Sequence, residues 1–97
     1  MLIENSKYKK GDVVTAKLVN GDELVGRVEE IQDDHLLIKK PMMCVMADKG
    51  VVLVPYMVSL NPEGSVEIGK NHIISIALTY KPVADHYITT TTGLKLN

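Results

Sequence analysis

Lys70, Asn71 and His72 stand together immediately before the apolar segment Ile73-Ile74-Ser75-Ile76, and their types suit recognition chemistry. An imidazole and an amide can hydrogen-bond base edges or stack on base faces, and an ammonium neutralises phosphate. The same residues also suit a plain polar loop whose side chains satisfy nearby backbone groups. Residue type alone leaves both readings open. A second polar group, Gln32-Asp33-Asp34-His35, lies between two apolar segments. It offers another amide and imidazole, but its two carboxylates repel phosphate unless Lys70 or Arg27 offsets them. Lys39-Lys40 and the stretch from Lys7 to Lys10 are the basic clusters, and each suits a solvated strand edge as well as a phosphate clamp.

Other chemistry finds little support. Ser59, Ser65 and Ser75 lack a nucleophile elbow, and Cys44 sits in the apolar run Met42-Met43-Cys44-Val45-Met46 with no base nearby. A lone cysteine excludes a disulfide framework and reads as a buried, inert thiol. His35, His72 and His86 are far apart, without the short spacing of metal ligands, so no metal and no cofactor are expected. The expectation is a binding protein, not an enzyme.

The elements that must hold these groups are strands. Asn20-Gly21, flanked by apolar alternation, marks a hairpin of the two-residue type I′ kind. It joins a first strand, 13–19, to a second, 23–31, in which Leu24, Gly26 and Val28 keep phase and Ile31 does not. A bulge near Glu29-Glu30 follows from that slip. Gly26, inside a strand, costs stability but lets a sheet bend sharply. A third strand covers 35–46, interrupted at Pro41, and a fourth covers 51–60, marked by Pro55. Ser65-Val66-Glu67-Ile68 forms a short pairing or an extended loop, and a last long strand covers 73–80. Residues 83–92 have room for a terminal helix, against which Thr89 to Thr92 count as poor helix formers.

At 97 residues with no Phe or Trp, the chain supports one modest core of Val, Ile, Leu and Met. It reads as one domain over 1–97, with a barrel core at about 11–80 and a tail at 81–97. No apolar run approaches a membrane span, and the start, Met1-Leu2-Ile3-Glu4-Asn5, lacks a secretory signal, so a cytoplasmic location is expected. The net charge of −1 argues against gripping nucleic acid by bulk charge.

The hairpin and its glycine spacing, Leu18, Asn20, Gly21, Leu24, Gly26 and Val28, with Ile31, Leu37 and the later Asn71-His72-Ile73-Ile74-Ser75, resemble the Sm-like family, which includes the Sm, LSm and Hfq proteins. The run Gly21 to Gly26, then Lys39-Lys40-Pro41, Pro55-Tyr56-Met57 and the tail Val83-Ala84-Asp85-His86-Tyr87, is most similar to the Sm-like proteins of bacteriophages.

The resemblance implies an all-β fold: a small five-stranded, strongly bent antiparallel Sm-like (SH3-like) barrel, with a short C-terminal helix in the tail. It also implies a cyclic homo-oligomer closed by pairing the fourth strand of one subunit with the fifth of the next. Single-stranded RNA would then bind around the pore through Lys70, Asn71 and His72, with His35 and Gln32 beside them. The alternative is a ring that serves as a protein-binding or assembly scaffold. The chain departs from the family pattern in having Gln32 where an Asp is usual, Leu36 in place of an Asn, and Gly69-Lys70 in place of Arg-Gly. A capping N-terminal helix has no room beyond Ser6 to Lys10.

Overall fold

The computed structural model describes residues 8–93. Expectations for Ser6 and Lys7 therefore lie outside the described residues. Its elements are β1 (Val13–Leu18), β2 (Glu23–Ile31), β3 (His35–Ala47), β4 (Gly50–Pro55), β5 (Ser65–Gly69), a single 3-10 turn (Lys70–His72), β6 (Ile73–Leu78) and α1 (Lys81–Thr92). All strand pairs are antiparallel, and the sheet runs β4-β3-β2-β1-β6, with β5 also on β3.

The six segments occupy five strand positions. β4 pairs with residues 42–47 of β3 and β5 with residues 35–39, so the two lie end to end along one edge. The expected single strand 51–60 stops at Pro55, because proline has no N–H to continue a ladder. Residues 56–64 leave the sheet as a turn-rich loop, and Ser65 to Gly69 then resume the edge as a full strand. β1 and β6 end at Leu18 and Leu78, short of the expected Val19 and Tyr80.

The hairpin forms, but by a different turn. Gly21 N donates to Leu18 O, Leu18 N donates to Asp22 O, and Gly21 alone takes a positive φ, 95°. This is a three-residue loop with its glycine in the left-handed position, not a type I′ turn. Asn20 keeps an ordinary φ, since the left-handed position falls on Gly21, and its Oδ1 accepts from Asp22 N at 3.0 Å.

The β2–β3 ladder slips twice, between Val25 and Arg27 and between Val28 and Glu30, the second where the sequence called for a bulge. These slips bend the sheet around an interior of Val14, Ala16, Leu18, Leu24, Val28, Leu36, Ile38, Val66 and Ile68. Glycine fits at 26 without displacing a neighbour, whereas a Cβ there would land on Ile38 Cγ2 and lie 3.3 Å from Lys39 O.

The tail is helical from Lys81, earlier than the expected Val83, with Pro82 in the first turn, where its missing N–H is harmless. The threonines do not prevent it. Thr91 Oγ1 donates to Tyr87 O and Thr92 Oγ1 to Ile88 O, so their hydroxyls are satisfied within the helix. What holds α1 is tertiary packing. Tyr87, with Ile88 beside it, meets Val25, Leu53, Met42 and Cys44 on the outer face of the sheet. Cys44 is half-buried there, and desolvation pushes its thiol pKa up, which suppresses the thiolate.

Candidate nucleic-acid interface

The single 3-10 turn that carries Lys70, Asn71 and His72 is tied down on both sides. Lys70 N donates to Asp34 O at 2.8 Å, joining it to the β2–β3 turn. Val19 N donates to His72 O at 2.9 Å, joining it to the β1–β2 turn. Three chain reversals distant in sequence thus meet at one end of the barrel. Gly69 leads into the turn, and a Cβ there would stand 2.8 Å from Asn71 Oδ1 and 3.2 Å from His72 Cδ2, two exposed side chains that would have to turn aside. Asn71 and His72 are exposed, and Lys70 is half-buried.

His35 joins this group, since it pairs with Gly69 at the start of the β3–β5 ladder. Its Nδ1 donates to Asp34 Oδ1 at 2.7 Å. That bond, the charge of His35 and, more weakly, Lys70 hold the exposed Asp34 carboxyl below the usual carboxylate range. Asp34 therefore stays ionised, and an anion approaching His35 meets a carboxylate already bonded to it. Gln32 lies on the same turn, but its Nε2 donates to Glu30 Oε1 at 2.8 Å, back along its own strand. The structure thus gathers Lys70, Asn71, His72 and His35, and leaves the Gln32 amide engaged elsewhere.

One neighbour was missed from the sequence. Tyr8 packs against the barrel core and, with Lys70, Ile73, Ile74 and Ser75, lines an open depression of about 230 Å³. In a chain with 4 tyrosines and no Phe or Trp, an aromatic next to a basic stretch was the available signal. Among the described residues no three His, Cys, Asp or Glu side chains cluster as metal ligands would, and no helix is long and apolar enough to cross a membrane.

The chain is similar in structure to a heptameric archaeal Sm protein, with a TM-score of 0.50 and 17% identity, over 72% of this chain and 88% of the other. The fold is Sm-like. No protein-family model matches, and no curated protein sequence matches either. In the Sm-like frame, the 3-10 turn is the loop that leads into the last barrel strand, and the loop 56–64 interrupts the strand before it. Both margins of this Sm-like sheet, β4 with β5 on one side and β6 on the other, have no partner strand among the described residues. Apolar side chains stand exposed along them: Val51 and Val52 on β4, Ile74 and Leu78 on β6.

Proposed function

We propose that this protein forms a homo-oligomeric ring that binds single-stranded nucleic acid, RNA foremost, around the ring opening. Lys70, Asn71, His72 and His35 make the contacts, and Gln32 joins them when its amide leaves Glu30. The whole chain acts as one domain, in the cytoplasm, by binding and not by catalysis, and is similar by motif to the Sm-like proteins of bacteriophages. The supporting observation is the meeting of the 3-10 turn with the β2–β3 turn at one end of a barrel whose two margins are open. Pairing margin to margin buries the exposed Val51, Val52, Ile74 and Leu78 and removes two unpaired edges, which are otherwise an aggregation hazard. Ring repetition also multiplies each Lys70 and His72 around one axis, so a subunit of net charge −1 still presents a local circle of basic and amide groups.

Light scattering is expected to give a multiple of the 10.7 kDa subunit. Ile74→Lys, at a position 63% exposed on β6, should reduce that mass to one subunit without loss of strand content, because an edge lysine opposes pairing. A stable single subunit in the unmodified protein at every concentration would overturn the ring.

Homopolymer RNA should bind with an affinity that falls steeply with salt. Combining Lys70→Ala with His72→Ala should weaken binding at least about tenfold, the loss of a phosphate contact and a stacked base per subunit. The carboxylates of Asp33, Asp34 and Glu30 favour the second reading, a ring that binds protein partners. RNA mobility unchanged at low salt, with the ring intact, would decide for that reading.

A further inference from the structure

We propose that the outer face of the sheet carries a phosphate-binding site, formed by Arg27 and Lys39 beneath the last turn of α1. The two residues are direct partners in the β2–β3 register, so their side chains leave the same face of adjacent strands. Like charges placed directly opposite oppose strand pairing unless something of the other sign lies between them. Among the described residues neither has a carboxylate partner. Arg27 Nη1 donates to Gly11 O at 2.6 Å, which fixes the guanidinium and leaves its other N–H groups to serve a ligand.

The two cations line a cavity of about 150 Å³, together with Lys40, Tyr87, Thr91 and Thr92, and no carboxylate of the described residues is among its walls. An uncompensated basic pair in a concave, partly desolvated place fits an oxyanion, and a guanidinium suits the planar, two-point grip of phosphate oxygens. The C-terminal end of a helix disfavours anions through its exposed carbonyls. Lys40 answers that: its Nζ donates to Thr91 O at 3.1 Å and reaches Glu63 Oε1 at 3.4 Å, which offsets the helix end. Lys40 is also the only non-glycine with a positive φ among the described residues, 51°. Such strain persists where surrounding structure holds it, commonly at a ligand site. Here it turns the Lys40 side chain under the helix.

The ligand chemistry is a phosphate group, from a nucleic-acid backbone or from free phosphate. The site shares no residue with the 3-10 turn, so it stands or falls independently of the RNA reading above.

The test is titration of the full chain with inorganic phosphate against chloride at matched ionic strength, followed by nuclear magnetic resonance. Saturable shifts are expected at the Arg27 side chain and at the Lys39 and Thr91 amides. They should weaken at least about tenfold in Arg27→Gln combined with Lys39→Gln, which removes two charge-assisted contacts. Lys39→Gln alone should melt at or above the unmodified protein in phosphate-free buffer, since it relieves a like-charge pair, and this also shows the fold intact. In a second arm, oligouridine is titrated into Lys70→Ala, His72→Ala protein. Residual salt-dependent binding that disappears on adding the Arg27 and Lys39 changes assigns the phosphate to the nucleic-acid backbone. Phosphate shifts without that effect assign it to free phosphate. No saturable shift with either ligand, or equal shifts in the double variant, overturns the site.

Discussion

Gly26→Ala lowers stability by about 1–3 kcal/mol, the usual cost of forcing an extra methyl into a packed interior. Gly26 has an ordinary φ, so the cost is steric and not conformational, and alanine even recovers part of it by restricting the unfolded chain. The added Cβ falls on Ile38 Cγ2, and behind it are Lys39 O at 3.3 Å and the Pro41 Cα at 3.5 Å. Ile38 is 1% exposed and cannot swing away without moving the interior, and the two backbone atoms belong to the kink of β3. A smaller partner tests this account. Ile38→Ala alone should cost about 2–5 kcal/mol as a core truncation. The double variant should be more stable than the sum of the two losses predicts, by about 1–2 kcal/mol, because the alanine methyl then occupies space that Ile38 has vacated. Urea unfolding at fixed protein concentration measures all four proteins. Additive losses, or a Gly26→Ala protein as stable as its parent, would mean that the sheet does not close at this point.

That glycine was readable from the sequence because its spacing from Gly21 and its phase with Leu24 and Val28 are local properties. So were the β2 limits, 23–31, and the bulge near Glu29. The fourth edge was harder to read. Pro55 signalled an interruption, but that the chain rejoins the same edge at Ser65 depends on β3 being long enough to pair with two segments in succession. The helix was underrated for a similar reason. Propensity at Thr89 to Thr92 is a local quantity, whereas α1 is held by Tyr87 against Val25 and Leu53, residues far away in sequence.

At the candidate site, the residue types of Lys70, Asn71, His72 and His35 were legible, and their convergence came from the resemblance. The engagement of Gln32 with Glu30 was not legible, because it depends on which way one amide turns. Nor was the Arg27–Lys39 pair, since its register is set by the slip at Gly26 and an unslipped ladder would place other residues opposite each other.

Tyr87→Phe should cost about 1–2 kcal/mol near neutral pH and lose that disadvantage in alkali. The ring is 1% exposed, and its hydroxyl lies 2.9 Å from both Lys39 O and Lys40 O, to which it donates. Its single O–H is shared between two backbone carbonyls where β3 changes partners, so phenylalanine keeps the packing but removes that shared donor. Burial is the main reason the phenol pKa is pushed up to about 12, from an ordinary 10, with Arg27 pulling weakly the other way. The unfolded chain therefore releases this proton from about pH 10, while the folded chain keeps it until about pH 12. A raised folded pKa means that the stability tied to the proton is complete below pH 10 and drains away as pH climbs through that window, by roughly 2–3 kcal/mol in all. Phenylalanine has no such proton to lose. The stability gap between the two proteins should thus shrink from about pH 10 upward and reverse sign at about pH 11. Urea midpoints measured in parallel at pH 8, 10 and 11.5 read the gap directly. A gap that stays constant across those values would show that the Tyr87 hydroxyl is solvated, and that α1 is held to the kink of β3 by apolar contact alone.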